Sequence, residues 1–440
     1  MTDAHAAPSG LWNPATRFYR FTVLFFASML TFGSYFAYDI IGAIAPSLIK
    51  DMGAARGTVG TFYTMYSIAA IISVFIGGML IDRLGTRTAS MIFSVLVLVG
   101  AAMVAYSPNL GWLMAGRFIF GAGSEPLVVA QSAILSRWFK GKELALSFGI
   151  ALTVSRLGTL FSFNTGELIA AHFGGYRFAL IAAMLFCVLS LVANVIYVLM
   201  DRRGDHFLSL QDEGAEEKIV LRDIKFFKPT FWYVTALCVT FYSAIFPFTA
   251  LSTDFFVDKW GIARVAKSGG SFMYQIFNNF FHMFNTAGGI TSIIIFASMV
   301  FAPFAGHWVD RRGKRATLMI WGSIIMVPSY LIMGFTHINP VIPMILLGAA
   351  FVLVPAAMWP SVPLIVKKEH VGTAFGLMTT VQNVGLALFP FLNGKLRDVT
   401  HTYTSSMMMF AGLGAIGLFF AIKLKSASSS ENGVLEKAEF

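Results

Sequence analysis

Charge is what this chain has least of. Only 12% of its 440 residues are Asp, Glu, Lys or Arg, whereas 57% are apolar and the mean hydropathy is +0.72, a balance that excludes an ordinary soluble domain. Cysteine is almost absent, and Cys187 and Cys238 both fall inside apolar stretches, so no disulfide framework is implied. No Asn-x-Ser/Thr acceptor occurs, which favours a bacterial inner membrane over a glycosylated organelle. There is no Gly-x-x-x-x-Gly-Lys-Ser/Thr loop to cradle a nucleotide, which argues against a primary pump. Nor does a nucleophile with its base, or a second metal ligand near His282, stand at a useful spacing, so no enzyme, metal site or cofactor is expected. The 32 basic residues against 22 acidic ones are distributed over loops rather than gathered in a domain, so nucleic acid is not the expected partner.

What the chain does have is long apolar runs. Twelve are long enough to span a bilayer, beginning near Phe18, Thr58, Arg87, Leu110, Glu143, Arg177, Pro229, Thr286, Lys314, Pro340, Gly372 and Tyr403. The expected fold is therefore an all-α membrane protein of twelve transmembrane helices in two six-helix bundles. The first run is too long to be a removable signal, so it is expected to remain as the first helix. Loops holding Arg83/Arg87, Arg137/Lys140/Lys142, Arg311/Arg312/Lys314/Arg315 and Lys367/Lys368 fall on one face with both termini, and this basic face reads as cytoplasmic. The organisation follows: a cytoplasmic tail (1–17), a six-helix bundle (18–200), a polar cytoplasmic loop (201–228), a second bundle (229–424) and a closing cytoplasmic tail (425–440).

The halves echo each other. Gly78-Met-Leu-Ile-Asp82-Arg83-Leu-Gly85-Thr-Arg87 recurs as Gly306-His-Trp-Val-Asp310-Arg311-Arg-Gly313-Lys-Arg315, and Phe148-Gly149 recurs as Phe375-Gly376 at nearly the same offset. Two echoes in register indicate a parallel duplication, as in carriers whose halves rock about a central site. In the repeated motif Gly78 and Gly306 would allow close helix approach, and Gly85 and Gly313 a tight turn. Asp82 and Asp310 would accept hydrogen bonds from the adjoining half and latch the cytoplasmic side. A plain positive-inside anchor with a turn is the rival reading for one copy, less so for two.

Two charges inside the spans stand out. Glu125 precedes Trp138 by thirteen residues, Arg156 follows Glu143 by thirteen, and the basic loop lies between. Two antiparallel helices thus carry an acid and a base to one depth, roughly 20 Å from the loop at ~1.5 Å per residue. Intramembrane charges cost at least ~2.5 kcal/mol on insertion scales, so this pair should serve a purpose. A small zwitterion fits between them, with the Arg guanidinium forking onto a carboxylate. A direct salt bridge and a gating pair are the alternatives. Arg117, nearer the other surface, reads as structural or coupling rather than ligand-binding.

Further polar candidates line the same region. Tyr35 and Tyr38 share a face of the first helix with Asp39 beside them, Tyr63 and Tyr66 share a face of the second, and Tyr242 stands on the seventh. The duplication pairs Gln382 and Asn383 with Ser155 and Arg156, so the second half offers neutral amides where the first offers charge. Ordinary interhelical hydrogen bonds are the competing reading for each. Asp39 is also the candidate proton site, were transport proton-coupled. The second half carries extra chain on its outer side at 259–285, rich in Phe, which reads as an interfacial amphipathic helix over the outer mouth, an outward extension of helices seven and eight, or an inert loop.

The two signature loops, with Arg117-x-x-x-Gly121-x-Gly123, resemble the major facilitator superfamily from Tyr19 to Lys425. A narrower resemblance lies in Leu30-Thr-Phe-Gly-Ser-Tyr-Phe-Ala-Tyr-Asp39, Trp138-Phe-Lys-Gly-Lys-Glu-Leu-Ala-Leu-Ser-Phe-Gly149, Ser155-Arg156-Leu-Gly158 and Phe241-Tyr-Ser-Ala-Ile-Phe-Pro-Phe248. These look like the superfamily-domain-containing protein one branch, whose lysosomal animal members carry dipeptides by facilitated diffusion. The resemblance implies that Glu125 holds the peptide amine and Arg156 its carboxylate. Helix five has no Pro between Glu143 and Ala171, unlike drug antiporters. The expected function is a monomeric secondary transporter of dipeptides or small peptides working by alternating access within membrane lipid. An oxalate- or formate-like anion carrier, a proton-coupled symporter of another zwitterion and a transport-dead sensor are the alternatives, and whether an accessory subunit is needed is left open.

Overall fold

The computed structural model describes residues 12–139, 143–208, 221–267, 269–367, 370–430 and 433–437. Lys140, Lys142, Lys368 and most of the polar connecting loop, including Asp212, Glu213 and Glu216, lie outside the described residues. Among the described residues the chain is helical, with one isolated bridge between Ala263 and Thr286. The helices are α1 (Arg17–Ala43), α2 (Ala45–Met52), α3 (Arg56–Ala105), α4 (Leu110–Phe139), α5 (Leu144–Phe173), α6 (Tyr176–Leu208) and α7 (Pro229–Thr249). They continue as α8 (Ser252–Trp260), α9 (Phe272–Phe281), α10 (Ala287–Arg312), α11 (Arg315–Phe335), α12 (Val341–Ile365), α13 (Val371–Thr400) and α14 (Thr404–Ser430). Among the described residues, twelve segments are long and apolar enough to cross a membrane. Helix starts fall within about two residues of the sequence reading, a margin inherent in locating helix ends.

Local chemistry sets the breaks. α3 holds two membrane helices joined at Gly85, whose φ of 75° and ψ of 163° are not helical, and α10 ends at Gly313 with φ 63°. Both glycines make the turns expected of them, at backbone angles a side chain resists. Gly174 (φ 89°) similarly turns α5 into α6. The expected close helix approach at Gly78 and Gly306 is not found: a Cβ at either position would meet open space. Neighbouring Gly77 packs instead, with Pro126 of α4 only 2.6 Å from where its Cβ would lie. Pro126 removes one α4 ladder bond beside Glu125, a break that membrane helices tolerate where protein or a cavity adjoins.

The chain clusters into two compact units that do not follow the duplication. One gathers the N-terminal residues through Tyr38, Ile72–Thr159 and the chain from Leu180 to the end of α6; the other gathers Asp39–Ile71, Leu160–Ala179 and the second half. The ends of α1, α3 and α5 that lie away from the N terminus, here called distal, therefore belong to the second unit.

In the first unit the loop-side end is held by a charge cluster on α6. Asp201, fully buried, accepts from Arg87 Nε at 2.5 Å and from the Trp138 indole at 2.5 Å, while Asp205 takes Arg87 and Arg137 at 2.8 and 2.7 Å. Arg17 and Arg20 of α1 both reach Glu143. Asp201, expected in the connecting loop, is instead buried, because α6 runs on to Leu208.

Candidate functional site

Ser124 and Ser155, each one residue before an intramembrane charge, fix the first unit's site. Ser124 donates to the Ser34 hydroxyl at 3.3 Å, and the Ser155 hydroxyl bonds that of Thr31 at 2.6 Å. Ser34 and Thr31 are three residues apart on α1, about 4.5 Å along its axis. Hence α4 and α5 present Glu125 and Arg156 within about one turn of the same depth, and both side chains are half-buried. Gly158 lets α5 approach closely, since its Cβ would lie 2.4 Å from the Phe32 carbonyl oxygen. Gln131 completes this seam by donating to the Ala27 carbonyl and the Thr31 hydroxyl at 2.9 and 3.0 Å.

Tyr35 and Tyr38 are half-buried on the same helix. Arg117 is 1% exposed, donates to the Ala37 carbonyl at 3.2 Å and lies over the rings of Tyr38 and Phe120 at 5.4 and 5.3 Å. These are the contacts of a helix-to-helix tie.

Asp39, Tyr63 and Tyr66 are buried and belong to the second unit. There, one turn of α7 brings together two predicted residues and one missed. Cys238 donates to Gln382 at 3.5 Å, and Tyr242, four residues on, accepts from the Trp359 indole at 2.9 Å. Phe246 stacks on Tyr242 at 5.7 Å and Phe375 lies 5.9 Å from Trp359. Asn383 points elsewhere: it is 3% exposed, donates to Thr379 of its own helix, and its buried carbonyl oxygen has no partner among the described residues. Trp359 carried one sequence signal, its place between Pro355, Pro360 and Pro363, which loosen the helix ladder around it.

A distal network in the second unit also escaped the sequence reading. Arg56, at the start of α3, donates to Asp254 of α8 at 2.6 Å, and Asp254, 5% exposed, also accepts from Tyr403 at 2.5 Å. Burial, with the Asp254 carboxylate beside it, pushes the Tyr403 hydroxyl well above its usual pKa. Asp398 accepts the amide hydrogens of Arg56 and Gly57 at 3.1 and 2.8 Å, capping α3 from another helix. Arg397 pairs with Asp258 at 2.9 Å. Glu167 of α5 accepts from the Ser47 amide and hydroxyl, and Thr253 donates to the Gly42 carbonyl at 2.5 Å. Backbones come together here as well: a Cβ on Gly60 would lie 2.2 Å from the Pro390 carbonyl oxygen.

The signature loops are unlike each other. Asp82 and Arg83 are exposed, whereas Arg87 is committed to α6. In the second copy Arg311 is exposed and the side chain of Asp310 lies outside the described residues. Arg315, 3% exposed, donates to the Lys437 carbonyl at 3.3 Å, and Glu436 accepts from the Thr317 amide and hydroxyl at 2.9 and 2.8 Å. The closing segment thus caps α11. No cluster of three or more His, Cys, Asp or Glu side chains suited to a metal occurs among the described residues.

The Major Facilitator Superfamily pattern matches residues 27–284 and 262–439. The chain is 34% identical to the lysosomal dipeptide transporter MFSD1 of Danio rerio, over 90% of this chain and 86% of that one. It is 33% identical to the protein of that name from Mus musculus, over 98% and 92%. A hexuronate transporter of Bacillus subtilis is 21% identical over 91% and 92%. Among solved structures, the nucleoside transporter NupG shares the fold, with a TM-score of 0.68 at 14% identity over 91% of this chain and 99% of that one.

Proposed function

The chain belongs to the major facilitator superfamily, and we propose that within it the protein is a secondary transporter of dipeptides or small peptides, working by alternating access. The observation that carries the reading is the matched depth of Glu125 and Arg156, set by Ser124 and Ser155 on α1. Glu125 takes the peptide amine and Arg156 forks onto its carboxylate, so recognition is indifferent to the side chains between. Two extended residues span about 7 Å, which makes the gap between the two charges a measure of peptide length. The names of the animal relatives support the substrate class.

Tyr35 and Tyr38 accompany the charged pair in the first unit, and in the second Tyr242 and Gln382 offer the peptide body neutral hydrogen-bond partners; Asp39, Tyr66 and Asn383 are further candidates for contact with it. Asp39 is the site at which a coupled proton would ride. Alternation opens and closes two ends. The Arg56–Asp254–Tyr403 network holds the distal end, and Asp82, Arg83, Arg87, Asp310, Arg311 and Arg315 serve the terminal end, with Arg117 bracing α1. The terminal end is the cytoplasmic one by its Lys and Arg content. The protein works as a monomer. The missing glycosylation acceptors favour a bacterial inner membrane, whereas the animal relatives are named lysosomal; fractionation of the source cells decides between them.

Uptake of a labelled dipeptide into proteoliposomes, with and without an inward proton gradient, tests this reading. Saturable uptake competed by peptides and not by oxalate supports it, and a response to the gradient assigns symport rather than uniport. Inhibition by oxalate alone transfers the protein to the organic-anion carriers, the reading toward which the hexuronate relative points.

A further inference from the structure

From Gly269 to Asn285 the chain has no Asp, Glu, Lys or Arg, and the helix in its middle, α9, is bound on one side and bare on the other. On the bound side Asn279, 3% exposed, accepts the Ala266 amide hydrogen at 2.9 Å and donates to the Asn164 carbonyl of α5 at 2.6 Å. On the bare side Met273, Phe277 and Phe281 recur every fourth residue, flanked by Tyr274 and Phe284; Phe281 is 82% exposed.

Ring contacts give the register. At the start of α9, Phe272 lies 5.2 Å from Phe173 and 4.9 Å from His172; at its end, Phe280 lies 5.2 Å from Phe161. α9, ten residues and about 15 Å long, therefore runs antiparallel to α5 against its last three turns. It does not lie flat over a mouth.

α5 has 30 residues and contains one of the candidate spans, Leu146–Phe173. At ~1.5 Å per residue it is ~45 Å long against a hydrocarbon core of ~30 Å, so a centred α5 leaves the core near Leu168. Phe161 and Asn164 then lie inside the distal leaflet, and Phe173 among the headgroups. The bare stripe shares those levels and is continuous with the exposed rings of Phe161 and Phe173. At this depth what covers an apolar, uncharged face is acyl chain.

We propose that α9 is a re-entrant helix seated in the distal leaflet, with Phe277, Phe281 and Phe284 against acyl chains and Tyr274 at the headgroup layer, where its hydroxyl can stay wet. The face has no charge, so the seat does not depend on anionic lipid. Asn279 makes the lipid-seated helix and the distal end of α5 move as one body. The inference is independent of the transported substrate.

Cys187 and Cys238 are buried, so a thiol label reaches a newly introduced cysteine first. M273C, F277C and F281C, each nitroxide-labelled in the full chain and reconstituted in phosphatidylcholine vesicles, report collision with oxygen, which concentrates in acyl chains, and with a nickel chelate, which stays in water. The expected result is a severalfold preference for oxygen at F281C and F277C, falling toward M273C and unchanged when anionic lipid is added. Equal access to the chelate at F281C would place the face in water and overturn the proposal. A nitroxide immobilised and shielded from both reagents would mean that protein covers the face, which also overturns it.

Discussion

Glu125→Gln keeps the shape of the side chain and removes its charge, so its effect should fall on substrates with a free amine. A charged hydrogen bond is worth about 1.5–3 kcal/mol, roughly a ten- to hundredfold rise in KM for such peptides, while N-acetylated peptides should change little. Equal losses for both, measured by competition in proteoliposomes, would remove Glu125 from the amine. Arg156→Lys keeps the charge and loses the fork, and should still cost affinity; unchanged binding would take Arg156 out of the carboxylate site. Asp201 belongs to structure instead. It is buried beneath Arg87, Arg137 and Trp138, so Asp201→Ala leaves cations uncompensated and should cost about 3–5 kcal/mol, read as a large drop in melting temperature. Asp82→Asn, at an exposed position, should leave melting nearly unchanged and alter transport rates.

At the scale of elements, the distal contact of α3 with α13 rests on missing side chains. Gly60→Ala puts a methyl 2.2 Å from the Pro390 carbonyl oxygen, which as backbone cannot step aside. The helices must separate, at about 1–3 kcal/mol for a forced overpacking, and thermal unfolding in detergent should show it; Gly78→Ala, in open space, is the control and should be silent. Helix positions were legible in the sequence because turns demand particular residues: Gly85 and Gly313 at positive φ, Pro229 opening α7. α9 was legible only as an excess of Phe. Its antiparallel run along α5 depends on contacts between residues about a hundred positions apart, which no local period encodes.

At the scale of the whole molecule, the distal ends of α1, α3 and α5 belong to the unit that contains the second half. Arg56, Asp254, Asp398 and Tyr403 tie the distal end of α3 into that unit. Asp254→Asn should loosen it, raising amide exchange in the first turn of α3 above wild type, and the exchanged pair R56D/D254R should recover part of the protection. If exchange at α3 stays unchanged, the network is not what holds the distal end. Glu125 and Arg156 were visible in the sequence because a charge within an apolar run is conspicuous. Arg56, Asp254 and Tyr403 were not, because each stands near a helix end, where charge and polarity are ordinary, and only the folded chain brings them together.

The cap that Glu436 places on α11 gives the carboxyl end of the chain a structural duty. It bears directly on how the protein is handled. An affinity tag or fluorescent fusion joined close behind Glu436 begins beside that cap and beside Leu435, which is fully buried, whereas one joined ahead of α1 leaves the residues of the cap untouched. Preparations tagged at the two ends are therefore different samples of the second signature loop, and amino-terminal fusions are the ones to use when its conformation is the quantity measured.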